Sequence, residues 1–218
     1  MMEDDREKIF ASIRKGLRQS ERYSAERSSK SPLLDKLGPD FLSLFEKFRS
    51  ELKTLGGEAV SVQDEAEAFE QINTRSHANE ALFIYEEIKS KYALLTSSLS
   101  ERKSVKFQPE FSHGYDRHEA AKFTGVVTGC YACVAETGTV ILRTAMRLPA
   151  ALATQLFVVA SGADLRPSLD QIFTEDTARF GGSNLFLVTG PSRTADIEKQ
   201  LVTGVHGPKD VFVIFMKS

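Results

Sequence analysis

Tryptophan is absent from the chain, and cysteine occurs only twice, at Cys130 and Cys133. Two thiols cannot build a disulfide scaffold, so stability has to come from a packed core, and 218 residues are enough for one. Two thiols also make a poor host for an iron–sulfur cluster, which as a rule takes four thiolates. No apolar run approaches the roughly 20 residues of a membrane-spanning helix. The opening residues Met1 to Asp5 lack the basic and apolar regions of a secretory signal. Together these absences give an expectation of a cytoplasmic protein with no membrane span. Charge of one sign is not in excess either: 28 Lys and Arg face 30 Asp and Glu, which calls for neither nucleic acid nor an anionic membrane as partner. No Gly-x-Gly-x-x-Gly follows a strand pattern, so the dinucleotide fingerprint is missing.

What the sequence does have is periodicity. Ile9, Phe10, Ile13 and Leu17 predict an amphipathic helix over about residues 4–19, and the polar stretch 20–32 reads as a linker. This divides the chain into an N-terminal helix and linker, 1–32, and one α/β domain, 33–218. The leading helix has two candidate partners, the domain or a second copy of the chain. A helix over 39–55 is expected, with Asp40 as cap, an apolar stripe of Phe41, Leu44, Phe45, Phe48 and Leu52, and Gly56-Gly57 as its stop. Strands are expected at 58–62, 81–85, 104–108, 125–127, 139–143, 156–160, 184–188 and 211–215. Helices are expected at 63–72, 86–95, 116–122 and 167–178, and turns at 189–208. Short apolar strands alternating with helices predict a mostly parallel sheet covered on both faces, an α/β fold.

Three loops carry chemistry-bearing residues. The first runs from Thr128 and Gly129 to Thr137, Gly138 and Thr139, with Glu136 flanked by small residues. Glu136 there is either a base or nucleophile in a cleft, or a carboxylate bonded to nearby amides. The second is Gly190-Pro191-Ser192-Arg193-Thr194-Ala195-Asp196. Read one way, Ser192, Arg193, Thr194 and Asp196 border an anion site at a helix N-terminus; read the other way, they are a capped turn. The third holds His206 between glycines, either a proton donor or a turn residue. The Cys-x-x-Cys pair is compatible with redox chemistry or, with His113, His118 or His206, a metal half-site. Packing as two small apolar side chains is the favoured reading, and no metal is expected. His77 has no motif around it and reads as a surface residue.

The segments TGVVTGCYACVAETGTVIL (124–142) and GPSRTADIEKQLVTGVHGP (190–208), taken together, resemble the lactate-utilization protein C family, built on the LUD domain. The resemblance covers about residues 80–218. It implies a three-layer α/β/α sandwich like that of the sugar-phosphate isomerases and CoA transferases. It also implies work beside iron–sulfur partner proteins in oxidising L-lactate to pyruvate, with the clusters in the partners and no cofactor in this chain. The family often has other residues where this chain has Cys130 and Cys133. On this reading Ser192, Arg193 and Thr194 hold a small anionic ligand, with Thr128, Gly129, Thr137, Gly138 and Asp196 around it and Glu136 and His206 handling protons. Two alternatives stand beside it. Glu136-Thr137-Gly138 matches the Glu-x-Gly form of the CoA-transferase nucleophile, which would make the chain a stand-alone CoA-transferase-like or sugar-phosphate-binding enzyme. A regulatory module using the N-terminal helix as its interaction surface is the other.

Overall fold

The structure is a computed structural model that describes residues 10–12, 40–76, 81–107, 122–143, 148–175, 185–194, 202–203 and 207–217. The chain divides into two units, Met1–Asp35 and Lys36–Ser218. In the first unit, residues 10–12 are helical. The rest of the expected helix over 4–19, the linker, and nearly all of the expected helix at 116–122 lie outside the described residues. So do His77, His113, His118, Asp196 and His206.

The second unit is built on six strands: β1 (Glu58–Val62), β2 (Ala81–Ile84), β3 (Ser104–Phe107), β4 (Gly125–Thr128), β7 (Gln155–Ser161) and β12 (Asp210–Met216). Their order is β1-β12-β7-β4-β2-β3, and every neighbouring pair is parallel. The fold is therefore α/β, as its alternating pattern predicts. Because a strand is pleated, successive residues face opposite sides. Val126, Leu156, Val158, Ala160, Val213 and Phe215 point to one face, and Val127, Phe157, Val159 and Ile214 to the other.

Each face is covered. On the second face lie α2 (Glu65–Arg75), α3 (Glu86–Lys91) and α4 (Ala93–Arg102), through Ala68, Ile72, Ile88, Leu95 and Leu99. On the first lies α1 (Phe41–Thr54), whose Leu44, Phe45, Phe48 and Leu52 are buried at the predicted helical spacing. The Phe215 ring meets Phe45 at 5.5 Å and Phe48 at 5.4 Å between centroids, edge to face, the favoured geometry for aromatic pairs.

The rest of that face is covered by a second sheet, which the sequence pattern did not separate from the first. Its strands are β5 (Ala132–Val134), β6 (Thr139–Arg143), β8 (Leu165–Arg166) and β9 (Leu185–Val188), in the order β8-β5-β6-β9. The segments expected as strands at 139–143 and 184–188 belong here, and β6 pairs antiparallel with both β5 and β9. A turn of four residues joins β5 to β6, and so short a connection links only antiparallel neighbours. The outer face of this sheet rests on α6 (Leu169–Glu175), through Ile172 and Leu169. The remaining helix, α5 (Leu148–Leu152), leads into β7.

Two expectations are corrected. The helix expected at 86–95 is two helices, broken at Tyr92, whose φ of −129° and ψ of 72° are not helical. Glu65 on α2 accepts from the Leu95 amide at 2.7 Å and so supplies a cap to the second helix. The segment 189–208, expected as turns, contains the short antiparallel pair β10 (Arg193–Thr194) and β11 (Val202–Thr203). Arg193 and Thr194 are therefore extended, and the residues after them, where a helix was expected to begin, lie outside the described ones.

Candidate functional site

Parallel strands place all their carboxyl ends on one edge. Ligands in such sheets enter where successive connections leave in opposite directions. Here β2 connects to β3 on one side, whereas β4, on the other side of β2, continues toward β7 and β12. The switch point lies between β2 and β4. A crevice of about 120 Å³ opens there, lined by Glu87, Lys91, Tyr92, Gly129, Cys130 and Asp164 among others. Its volume is well below the roughly 300–1,000 Å³ of pockets that take larger ligands.

The walls of the crevice are held by carboxylates. Glu87, at the start of α3, accepts from the Gly129 amide at 2.8 Å and from the Thr128 hydroxyl at 3.1 Å, which ties the loop after β4 to the helix after β2. A side chain on Gly129 would meet Glu87 Oε1 at 3.1 Å, so the loop approaches closely because the residue is glycine. Asp164 accepts from the Ser161 amide at 2.7 Å and its hydroxyl at 2.8 Å, closing the turn after β7. Lys91 supplies positive charge. Burial works against that charge, but a hydrogen bond to Tyr92 and the neighbouring Tyr92, Asp164 and Cys130 outweigh it, so its pKa is raised above the ordinary lysine value. The Cys130 and Cys133 sulfurs lie 3.7 Å apart. Contact with Cys133, then burial, then the nearby charges of Asp164 and Glu87 push the Cys130 thiol well up. Among the described residues no cluster of three or more His, Cys, Asp or Glu is arranged to hold a metal.

The other site residues named from the sequence lie elsewhere. Because α1 leads into β1 through a three-residue turn, its C-terminus sits at the amino edge of the parallel sheet, opposite the crevice. Both remaining loops gather there. Gly138, at φ +63°, leaves room for the Leu52 backbone, and Gly190, at φ +83°, leaves room for Leu55. The hydroxyls of Thr137, Thr139 and Thr189 join the two loops, at 2.7 Å and 2.9 Å. The Arg193 guanidinium donates to the Leu55 carbonyl at the C-terminal end of α1, where positive charge is favoured. The Ser192 amide donates to the Pro208 carbonyl. Glu136 is half-buried in the β5–β6 turn, and its amide donates to Pro167. Among the described residues, no ion pair joins Glu136 to Arg193.

Of the predicted set, Thr128 and Gly129 are thus at the crevice, and Glu136, Thr137, Gly138, Ser192 and Arg193 are around the end of α1. Sequence reasoning missed Glu87, Lys91 and Asp164. A signal for the first two was present, since Glu87 and Lys91 are one helical turn apart just after the apolar strand at 81–84.

Residues 45–216 match the LUD domain. The chain belongs to the LUD domain family. Within it, the chain is 33% identical over 116 residues to Lactate utilization protein C of Anoxybacillus flavithermus, a stretch that takes in 51% of this chain and 52% of that protein. The match therefore spans about half the relative's length. A shorter stretch of 32 residues is 50% identical to an uncharacterized protein of Neisseria meningitidis serogroup B, covering 15% of this chain and 14% of that protein. The crystal structure of a DUF162 family protein from Deinococcus radiodurans is similar in fold, with a TM-score of 0.62 at 18% identity, covering 81% of this chain and 98% of that one. In this LUD domain, no helix among the described residues is long and apolar enough to cross a membrane.

Proposed function

We propose that this LUD-domain protein is a lactate-utilization protein C-like subunit that supports the oxidation of L-lactate to pyruvate alongside iron–sulfur partner proteins. The observation that carries the reading is the 33% identity to Lactate utilization protein C, set within a LUD domain that accounts for residues 45–216. The oxidation removes two electrons and two protons from the carbinol carbon and its hydroxyl. Two cysteines are too few to ligate a four-thiolate cluster, which is consistent with electrons leaving through partners.

The crevice at the switch point is the place for a small anionic ligand. Its volume suits a molecule of a few heavy atoms, and Lys91 is the group that would meet a carboxylate. Glu87 and Asp164 are committed to the loops they anchor, so their part is to hold the walls in place. The CoA-transferase-like alternative draws nothing further from the position of Glu136, which is in a turn at the far edge of the sheet from the crevice.

Deletion of the gene tests the reading. Growth on L-lactate as sole carbon source is expected to fail while growth on pyruvate continues, and affinity purification from lactate-grown cells is expected to bring down iron–sulfur proteins. Unimpaired growth on L-lactate overturns the proposal.

A further inference from the structure

We propose that Cys130 and Cys133 are a reversible dithiol–disulfide pair, an oxidation site set into the crevice at the carboxyl ends of β2, β4 and β7. The sulfurs are 3.7 Å apart and both thiols are free. A disulfide of about 2.05 Å therefore requires one side chain to close less than about 2 Å. The two thiols differ in access. Cys130 is half-buried in the loop after β4 and lines the crevice. Cys133 is fully buried in β5, with Val140 and Leu165 as its strand partners. An oxidant reaches Cys130 first, and Cys133 resolves.

With a small disulfide such as glutathione disulfide the chemistry balances. The Cys130 thiolate attacks one sulfur of the oxidant, whose own bond breaks and releases one glutathione thiolate. Cys133, as thiolate, then attacks the Cys130 sulfur of the mixed disulfide and expels the second glutathione. The protein loses two protons and two electrons, and the oxidant becomes two molecules of glutathione. A dithiol reductant reverses both steps.

The surroundings set the rate. Cys130 faces Cys133 from β5, Asp164 from the turn after β7, and Glu87 and Lys91 from α3. Contact with Cys133, burial and the two carboxylates keep the Cys130 proton on. Only the thiolate reacts, so exchange is slow near neutrality and accelerates about tenfold per pH unit below the thiol's own pKa. The new bond draws the Cys130 side chain off the crevice wall toward β5. Oxidation and crevice shape are thereby linked, whatever the crevice binds.

The test uses the full chain, reduced, then exposed to glutathione disulfide, with alkylation of remaining thiols and intact-mass and peptide mapping. Both thiols are expected to disappear together with no glutathione retained, to return with dithiothreitol, and to disappear at least about tenfold faster near pH 9 than near pH 7. Cys133→Ser is expected to stop at one glutathione on Cys130, and Cys130→Ser to leave Cys133 unmodified in the folded protein. Two surviving thiols, glutathione retained by the wild-type chain, or a disulfide between two chains overturns the proposal. If a variant fails to fold, the wild-type mapping decides alone. None of these outcomes depends on growth on lactate.

Discussion

Arg193 shows how one side chain can satisfy two readings of a sequence and only one set of contacts. A guanidinium beside Gly, Pro, Ser and Thr suits an anion, but the same group suits the exposed carbonyls at a helix end. Here it donates to the Leu55 carbonyl. Arg193→Ala is therefore expected to lower stability by about 1 kcal/mol in denaturant unfolding, the net worth of a hydrogen bond at a helix end. An unchanged midpoint would free the guanidinium for a ligand. Asp40 makes a second residue-level case. The Ser43 amide and then its hydroxyl hold the Asp40 carboxyl below the ordinary aspartate value. A carboxyl with a depressed folded-state pKa adds stability above its unfolded-state value and loses it as pH falls through the folded one. Asp40→Ala is thus expected to lower the melting temperature at neutral pH, with the difference from wild type shrinking below about pH 4. A difference that stays constant down to the acid limit would mean that the charge contributes nothing.

At the scale of elements, α1 organises the amino edge of the sheet. Its apolar stripe seats it on Phe215, and its last turn receives the β5–β6 turn and the loop after β9. Close approach is possible because Gly138 has no side chain: a Cβ there would stand 2.5 Å from the Leu52 amide nitrogen, at a positive φ. Gly138→Ala combines left-handed strain with a clash against backbone, and is expected to cost about 2–4 kcal/mol in equilibrium unfolding. A cost near zero would mean that α1 and the turn separate freely. Most elements were legible from their patterns. The cap at Asp40, the stripe of α1 and strands β1, β2, β6 and β12 lie within a residue or two of where periodicity puts them. The break at Tyr92 was not legible, because Glu65 caps the second helix from thirty residues away. Strand β5 was not legible because three residues, Ala132 to Val134, are too few to show alternation.

For the molecule as a whole, the order β1-β12-β7-β4-β2-β3 creates the crevice. The hydrophobic clusters of the described residues draw only on positions 41 to 216. The second unit, as a chain from Lys36 onward, is expected to unfold in one cooperative transition followed by circular dichroism, because these clusters lie within it. Loss of cooperativity in that chain would show that its hydrophobic clusters do not form one folding unit.

The sequence by itself determined much of the local structure: the apolar runs that become the strands of the main sheet, where α1 begins and ends, and that this sheet is parallel and buried. Local steric and hydrophobic preferences act over a few residues and leave readable periods. Which edge of the sheet each glycine-bearing loop occupies was decided only by the tertiary structure. Thr128-Gly129 leaves the carboxyl end of a parallel strand, whereas Thr137-Gly138 follows a strand of the second sheet that runs back the other way. Seven residues of chain, 130–136, therefore separate opposite edges of the sheet, because strand direction is set by pairing with partners distant in sequence.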